Sequence, residues 1–449
     1  MKRIIISVII IAIIGMSWLM YFKNIITTNI DYNNAMDKGN KLYERKLYDP
    51  AIDNYKSALE LKESKECRYK ILNAYKKRSE SPEIYGTNVN QEYIEELESV
   101  FADYGDDYKL AIRLSDAYIH DDEYEDAYNI LLKAKGNGCT EKKLIKKIEK
   151  LKIMYELNDI KVAEFRPFFG GYSTVSNGIQ WGVLSSDGTL EKPFENNYEN
   201  QINANGCILI QKNKDVVLYD EDNKVLGRFG TDVEDASMFS ENRIAVKKDG
   251  KFDIYDKTGK KKFGSFDFVS TFKKGEAVVS NNNKLSVVDK NGEQIKELDV
   301  DRIVFDNGNF YENSGVVVAS KNNKFSLYDT DFKQLIDESY DEIGVPTPNK
   351  IYAFKKGDKW GFINDGGEEI IKPEYEDAKS FSNGIAAVKQ GGKWGFINQN
   401  KKLIIKCQFE DAGYFTKDGT CLVKCKDAYE ESGFIWKLLK FEVGLPSED

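Results

Sequence analysis

The chain has 449 residues, of which 41% are hydrophobic and 31% charged, so it contains enough apolar sequence for two or three domains with their own cores. Its 74 acidic residues outnumber 65 Lys and Arg, and the formal net charge of -9 argues against a nucleic-acid partner, whose phosphates an acidic chain repels. The single histidine, His120, excludes metal sites and hydrolytic relays that need several imidazoles. We therefore expect no catalytic residue, no metal site and no cofactor.

The first predicted element is a membrane anchor. The segment from Ile4 to Phe22 has no charge, and at about 1.5 Å per residue a helix of this length crosses the hydrocarbon core of a bilayer. Lys2 and Arg3 precede it, which predicts a cytoplasmic N-terminus and an extracytoplasmic bulk. A cleaved signal peptide is the alternative, although the segment ends in bulky rather than small residues. We assign residues 1–29 to a single-pass anchor.

Residues 30–160 show the three- and four-residue apolar spacing of successive amphipathic helices. Two stretches, Gly39 to Leu61 and Ser115 to Lys135, follow one template with small residues at matching positions. These small residues are Ala51, Ala58, Ala127 and Ala134. The template resembles the tetratricopeptide repeat, although Ser115 replaces the usual glycine. The resemblance implies stacked helical hairpins with a concave groove for a peptide or a partner's helix.

From residue 161 to 449 the periodicity changes to short alternating strands separated by Gly, Asn and Asp turns. Seven copies are visible, and the large apolar residue that begins each copy recurs about every 35 residues. These residues are Trp181, Val216, Phe252, Leu285, Phe325, Trp360 and Trp394. We predict that each copy contributes three short strands, and that the last strand forms a hairpin with the first strand of the next copy.

Each copy also contains polar residues at fixed places. A turn-forming side chain such as Asp256 or Asn364 follows the first strand, and we expect it to accept hydrogen bonds from its own turn. Acidic corners such as Glu376-Asp377 and Glu410-Asp411 follow the second strand. We interpret them as solvated turn residues, with a calcium site on one rim as the weaker alternative.

Three copies begin with the same pair of residues. These pairs are Trp181-Gly182, Trp360-Gly361 and Trp394-Gly395. The pattern resembles the WG-repeat family of bacterial β-repeat proteins, which implies binding or scaffolding modules without shared catalytic residues. We expect the tryptophans to pack in the core, with sugar stacking as the alternative. Seven three-stranded copies favour a closed β-propeller, and a β-hairpin solenoid is the alternative.

The six cysteines contain no C-x-x-C pair, so neither a zinc ribbon nor a thioredoxin-like motif is predicted. Buried structural thiols are the simplest interpretation. A disulfide that joins Cys407 to Cys421 or Cys425 is the alternative, because these residues fall on strands that we expect to be neighbours.

The predicted architecture is therefore multidomain, with a transmembrane helix, an α-helical tetratricopeptide-like array and an all-β repeat domain. The function it favours is a membrane-anchored, non-enzymatic interaction or scaffold protein that binds protein partners. The alternative is a cell-envelope protein that binds carbohydrate or processes glycans with paired carboxylates, since such chemistry needs no histidine. A cell-wall glycan therefore remains a second candidate partner.

Overall fold

The computed structural model describes residues 2–81, 88–196, 201–203, 206–212, 214–428 and 433–446, without the side chains of residues 2–15, 159, 196, 201, 202 and 212. The chain divides into two compact units, Met1–Leu151 and Lys152–Asp449. This division precedes the predicted boundary near residue 161. The reason is that the strand Tyr155–Val162 pairs with Phe434–Phe441 and so belongs to the second unit.

The first unit is helical, and within the described residues it contains seven helices. They are α1 (Lys2–Glu44), α2 (Tyr48–Leu61), α3 (Lys65–Ser79), α4 (Val89–Asp103), α5 (Tyr108–His120), α6 (Tyr124–Gly136) and α7 (Lys142–Leu151). Consecutive helices pack against one another, which confirms the predicted helical hairpins. The tetratricopeptide assignment itself stays a prediction.

Small residues allow the hairpin helices to approach closely. Ala51, Ala58, Ala127 and Ala134 are fully buried in α2 and α6. In the first hairpin, a Cβ added to Gly39 would lie 2.5 Å from the ring of Tyr55. The second hairpin has Leu131 in place of this tyrosine, and there Ser115 is buried instead of glycine. A large residue on one helix is thus matched by a small one on its neighbour.

The predicted anchor lies at the start of α1, a helix of 43 residues. Of the predicted span, the side chains from Ile4 to Gly15 lie outside the described residues, and those from Met16 to Phe22 are exposed. Among the helices that the structure describes with side chains, none combines the length and apolar character needed to cross a membrane.

The second unit consists of short antiparallel strands, 31 of them in the described residues, arranged in eight sheets. We call the sheets blades 1 to 8 and the strands of each blade a to d. Blade 1 contains β2 (Glu164–Phe165), β3 (Tyr172–Ser176), β4 (Trp181–Ser185) and β5 (Leu190–Asn196). Blade 2 contains β6 (Gln201–Ile202), β7 (Ile208–Lys212), β8 (Asp215–Tyr219) and β9 (Val225–Arg228). Blade 3 contains β10 (Asp235–Ala236), β11 (Ile244–Lys248), β12 (Lys251–Tyr255) and β13 (Lys261–Phe266).

The remaining blades follow in chain order, and blade 5 has three assigned strands. Blades 4 and 5 contain β14 (Phe268–Val269), β15 (Glu276–Asn281), β16 (Lys284–Asp289), β17 (Gln294–Glu297); and β18 (Arg302–Val304), β19 (Val317–Lys321), β20 (Lys324–Tyr328). Blades 6 to 8 contain β21 (Glu342–Ile343), β22 (Ile351–Lys356), β23 (Lys359–Asn364), β24 (Glu369–Tyr375); β25 (Asp377–Ala378), β26 (Ile385–Gln390), β27 (Lys393–Asn398), β28 (Leu403–Phe409); and β29 (Asp411–Ala412), β30 (Thr420–Lys426), β31 (Phe434–Phe441), β1 (Tyr155–Val162).

The blades form a closed ring, an eight-bladed β-propeller. Each hydrophobic cluster of this unit is shared between two neighbouring blades: Phe396 of blade 7, for example, packs with Phe415 of blade 8. The last cluster joins blade 8 to blade 1 through Val162, Leu438 and Val175. The hairpin solenoid considered as an alternative is therefore wrong, because a solenoid has two free ends.

Blade 8 explains why seven copies produce eight blades. Its strands a to c come from the C-terminus, and its strand d is β1 from the start of the unit. Along β1, Tyr155 pairs with Phe441 and Leu157 with Leu439. The two ends of the unit are thus held together by main-chain hydrogen bonds. Strand c of this blade, β31, begins at Phe434.

Each sequence copy supplies strands c and d of one blade and strands a and b of the next. The predicted hairpin between copies is confirmed: β26 and β27 pair from Ile385 opposite Asn398 to Gln390 opposite Lys393. The copies are therefore offset from the blades by half a unit. Each copy therefore forms part of two neighbouring blades and links them through its main chain.

Candidate binding sites

The helical unit contains two adjoining pockets of about 410 and 170 Å³, which together we call the helical groove. The larger pocket lies among α1, α2 and α3 and is lined by Asn40, Tyr43, Glu44, Tyr55, Lys70 and Asn73. The smaller lies among α3, α4 and α5, and its lining includes Lys76, Tyr93, Arg113, Asp116 and His120. Because α3 contributes to both pockets, they form one surface along the hairpins.

Polar side chains of the groove hold one another in place. Asn40 Oδ1 accepts hydrogen bonds of 2.9 Å from the Tyr55 hydroxyl and from Lys70 Nζ. Asn73 Oδ1 accepts a bond of 3.0 Å from Arg113 Nη1, and this bond joins the two pockets. The carboxamides are therefore fixed by their oxygens, which leaves the NH₂ groups of Asn40 and Asn73 as donors.

Arg113 is the least satisfied group of the groove. Its Nε donates to the Tyr93 hydroxyl at 3.1 Å, whereas Nη2 is buried and has no hydrogen-bond partner within the described residues. A buried donor without a partner costs about 1–3 kcal/mol, and more when it is charged. Asp116, one turn further along α5, is paired with Lys147. The groove therefore contains a cationic donor that lacks an acceptor.

His120 belongs to the lining of the smaller pocket. It is the last residue of α5, its side chain is 72% exposed, and Nδ1 lies 3.0 Å from Asp121 Oδ1. None of the hydrogen bonds that the structure shows for His120 joins it to a nucleophile.

The propeller contains two cavities among its a–b loops, which meet at the centre of the ring. Phe169, in the a–b loop of blade 1, packs on Phe310 of blade 5 with ring centroids 5.2 Å apart. These blades are four positions apart in a ring of eight, so the loop of blade 1 crosses the centre. Phe169 and Asn307 line both cavities, of about 230 and 480 Å³, and separate them.

The larger cavity is surrounded by blades 5, 6, 7, 8 and 1. Its walls combine aromatic and proline side chains, carboxamides, hydroxyls and one charge of each sign. They include Phe168, Phe169, Pro346, Pro348, Tyr414, Phe415, Asn307, Asn313, Asn383, Asp306 and Lys417. We call this space the central cavity.

Hydroxyl side chains tie the loops around the central cavity to the next blade. Thr347 Oγ1 donates to the carbonyl of Phe381 at 2.6 Å, and Ser382 Oγ to the carbonyl of Phe415 at 2.9 Å. Thr420 Oγ1 donates in the same way to the carbonyl of Ser186. These bonds cross from blade 6 to 7, 7 to 8 and 8 to 1. The cavity is therefore preformed by the ring itself.

The recurring Trp-Gly pairs have a structural role. A Cβ added to Gly361 would lie 2.5 Å from the carbonyl oxygen of Ile371, and one added to Gly182 or Gly395 would lie 2.6 Å from main-chain atoms of strand d. At this point strand d bulges towards strand c, as the register shift between Trp360 and Phe362 shows. Glycine is required because main chain approaches main chain.

Two of the three tryptophans pack within the blades. Trp394 is buried at 5% exposure, and Trp360 packs partly buried against the cluster of blades 6 and 7. Lys355 Nζ lies 5.9 Å from the Trp360 ring, and Lys379 Nζ lies 5.2 Å from the Trp394 ring. Rings in these positions stabilise the blades, so the structure favours packing over sugar stacking for these two rings.

The sequence profile of the WG containing repeat matches residues 233–252, 360–394 and 394–429, which are parts of this ring. The chain carries WG repeats. No protein in the curated set matches the sequence.

We call the propeller unit, Lys152–Asp449, the WG propeller. The solved structures that are similar to this chain have low TM-scores. Kluyveromyces lactis Hsv2 is 12% identical with a TM-score of 0.33, covering 53% of this chain and 95% of its own. The Neurospora crassa Pan2 WD40 domain is 12% identical with a TM-score of 0.31, covering 56% and 88%. A Bacteroides caccae protein of unknown function is 12% identical with a TM-score of 0.28, covering 55% and 92%. No conclusion rests on similarities of this size.

The acidic corner at Glu376 of the WG propeller serves its own blade. Glu376 accepts hydrogen bonds of 2.8 and 2.9 Å from the amides of Gly391 and Gly392, in the b–c turn of the same blade. These bonds lower the pKa of Glu376 below its usual value. The residues that the structure describes contain no group of three or more His, Cys, Asp or Glu side chains that could hold a metal ion. The calcium alternative has no support in this geometry.

The predicted turn residues also bond to their own turns. Asp256 Oδ1 accepts from the amides of Thr258 and Lys260, and Asn364 Oδ1 from those of Gly366 and Glu368. All six cysteines are free thiols, so the disulfide alternative for Cys407 is wrong. Burial raises the pKa of the Cys421 thiol to about 12, which makes it unreactive.

Sequence reasoning did not find the residues of the groove or of the central cavity. Arg113, Asn73 and Lys70 lie on helices whose repeat pattern concerns buried positions only, so the pattern says nothing about them. Phe169 and Asn307 lie in a–b loops that are longer or richer in Phe, Asn and Gly than in the strongest copies. That departure from the repeat was the available signal.

Proposed function

We propose that this chain is a non-enzymatic interaction scaffold whose helical groove binds a carboxylate-bearing segment of a partner protein. The observation that carries the proposal is the buried Nη2 of Arg113, which has no acceptor within the described residues although it lines a pocket. A carboxylate placed there would satisfy it.

The guanidinium group of Arg113 favours a carboxylate over other anions or an apolar ligand at this point of the groove. The rest of the lining carries charges of both signs, on Lys70, Lys76, Glu44, Glu80 and Asp116. The planar guanidinium group can give two parallel hydrogen bonds to the two oxygens of a carboxylate. Arg113 Nη1 is held by Asn73, whose own NH₂ group remains available as a neighbouring donor. Lys70, in the adjoining pocket, adds a second positive charge. An extended peptide with an acidic side chain or its terminal carboxylate over Arg113 matches this row of donors.

A peptide selection tests the proposal. The full chain in detergent is used to select binders from a random peptide library, and the enriched sequences are measured by fluorescence anisotropy. We expect the enriched peptides to be acidic. Replacing the decisive Asp or Glu by its amide, or amidating the C-terminus, should weaken binding at least tenfold and show which carboxylate binds.

Variants of the groove complete this test. We expect Arg113→Ala to weaken binding at least tenfold and Arg113→Lys to restore it only in part, because lysine cannot form the bidentate pair. Lys135→Ala is the matched control, since Lys135 is exposed on α6 and lines neither pocket. Enrichment of apolar peptides, or equal binding by Arg113→Ala and the control, contradicts the proposal.

The WG propeller supplies a second, rigid surface in this proposal. Its repeat residues pack the blades, bond within their own turns and close the ring. Such structural roles are expected of a scaffold rather than of a reaction centre. The absence of catalysis is part of the proposal. Turnover of envelope glycans by the purified chain, lost on replacing one carboxylate, would contradict it and favour the alternative of a glycan-processing protein.

We also propose that the segment from Ile4 to Phe22 anchors the chain in a membrane with the bulk outside the cytoplasm. The uncharged sequence and the preceding Lys2 and Arg3 support this arrangement. We expect the protein to stay with the membrane after alkaline carbonate extraction and to be degraded by protease added to intact cells after wall removal. Protection from that protease contradicts the orientation, and extraction by carbonate contradicts the anchor.

A further inference from the structure

The central cavity of the WG propeller is not part of the helical groove and needs its own explanation. Its volume of about 480 Å³ falls in the range of small-molecule sites. Phe169, which lines the cavity, packs on Phe310 at the centre of the ring. The inter-blade bonds made by Thr347 and Ser382 fix the surrounding loops before any ligand binds.

The charges of the cavity do not select an ion. Asp306 is buried, and its carboxylate already accepts three hydrogen bonds, from the amides of Gly308 and Phe310 at 2.9 and 3.0 Å and from Asn313 Nδ2 at 3.0 Å. Lys417 is the only cationic side chain among the residues that line the cavity, and it is exposed. A phosphate or other anion would therefore meet as much negative as positive charge, and the lining favours a neutral ligand.

Uncharged polar groups remain available at the walls. Asn307 and the hydroxyl of Tyr414 make no hydrogen bond within the part of the chain that the structure describes. Asn383 donates from Nδ2 to the carbonyl of Phe415 at 2.8 Å, which leaves its carbonyl oxygen as an acceptor. These donors and acceptors stand beside the aromatic surfaces of Phe168 and Phe169.

We propose that the central cavity binds a neutral saccharide of one or two rings. A sugar ring presents C–H faces that pack on aromatic side chains, and hydroxyl groups along its edges that both donate and accept. Asn307 matches this double character, because its carboxamide offers a donor and an acceptor in one plane, and Asn383 adds an acceptor through its carbonyl oxygen. An apolar ligand would leave these groups without partners, at a cost for each.

The test is calorimetric titration of the full chain, held in a detergent without a sugar headgroup. The probes are glucose, galactose, mannose, N-acetylglucosamine and the disaccharides cellobiose, maltose and chitobiose. We expect saturable binding of at least one of them with one site per chain. Asn307→Ala and Phe169→Ala should each weaken that binding at least tenfold.

Asn400→Ala is the matched control, because Asn400 is exposed in the c–d turn of blade 7 and does not line the cavity. Circular dichroism melts establish that the cavity variants are folded, and Asn307→Ala, which removes no hydrogen bond, should melt as the parent does. The proposal is overturned if no probe binds at millimolar concentration, if binding survives both cavity variants, or if peptides bind there and sugars do not. None of these results bears on peptide binding by the helical groove.

Discussion

The helical unit and the WG propeller use their polar side chains differently. In the propeller, recurring polar residues are consumed by the fold: Glu376 holds a hairpin and Thr347 bonds to the next blade. In the helical unit, Arg113 keeps a buried donor without an acceptor in the described residues. The recurring polar residues of the propeller are thus satisfied by the fold, whereas this arginine of the helical unit is not.

This difference separates repeat residues from binding residues. Trp360 and Gly361 identify a repeat because the blade uses the ring for packing and the glycine for close approach of main chains, and Ala51 and Ala58 are buried where helices meet. The candidate binding residues occupy positions that the repeat leaves free. A repeat signature therefore identifies a fold well and a ligand poorly, and the site should be sought where a copy departs from its template.

The largest expected effect concerns ring closure, which has no counterpart in the open helical array. Val162 of β1 is fully buried in the cluster that joins blades 8 and 1, whereas Leu157 on the same strand is 38% exposed. Val162→Asp places an unpaired charge in that cluster and should lower the free energy of unfolding by about 4 kcal/mol or more. Leu157→Asp should cost far less. Chemical denaturation monitored by tryptophan fluorescence measures both, and equal losses would contradict closure through β1.

The next effect compares the glycines of the two units. Gly361→Ala should lower the free energy of unfolding by about 2–3 kcal/mol, since the new Cβ meets main-chain atoms that cannot move independently. Gly39→Ala meets only the side chain of Tyr55 and gains helix propensity, so about 1 kcal/mol is expected. Gly366→Ala is the control, because its nearest neighbour is Asn364 Oδ1 at 3.4 Å. A Gly361→Ala protein as stable as this control would show that the close approach is not rigid.

A smaller effect should appear in acid. Hydrogen bonds from Gly391 and Gly392 lower the pKa of Glu376 from its ordinary value of 4.5. A lowered folded-state pKa stabilises the protein above pH 4.5, and this contribution is lost as the pH falls through the lower value. Glu376→Gln should therefore make the free energy of unfolding less dependent on pH below 4.5. An unchanged slope between pH 4.5 and 3 would contradict the role assigned to the acidic corner.

The smallest effect is expected at His120. Its side chain is exposed and bonds to Asp121, so His120→Ala should change stability by less than about 0.5 kcal/mol and weaken peptide binding in the groove far less than Arg113→Ala does. Anisotropy titrations against Arg113→Ala make the comparison. A loss of binding as large as that of Arg113→Ala would extend the site to the end of α5.

Much of the fold followed from residue spacing. Alternation and turn residues predicted the strands, and the hairpin from Ile385 to Asn398 appeared as expected. Spacing did not predict eight blades. The last blade takes its strand d from β1, Tyr155–Val162, most of which we assigned to the helical region from its periodicity. Pairing between Tyr155 and Phe441 depends on closure of the whole ring, which no local pattern records.

The candidate sites were harder to predict. His120 attracted attention as a rare residue, yet it is solvent-exposed, whereas Arg113 is an ordinary arginine in a helix. What distinguishes Arg113 is that Tyr93 and Asn73 occupy two of its nitrogens and no described residue reaches the third. That property arises from three helices together. Likewise, Phe169 lines the central cavity only because blade 1 faces blade 5.

One measurement tests the scaffold proposal most directly. The photoreactive amino acid p-benzoylphenylalanine is placed at Lys76, an exposed residue of the helical groove, and cells that produce the full chain are irradiated. The account predicts a specific cross-linked partner that is identified by mass spectrometry and disappears in an Arg113→Ala background but not with Lys135→Ala. A partner that is captured equally well by the Arg113→Ala protein would contradict it. So would the absence of any cross-linked partner in cells once the peptide selection has yielded binders in vitro.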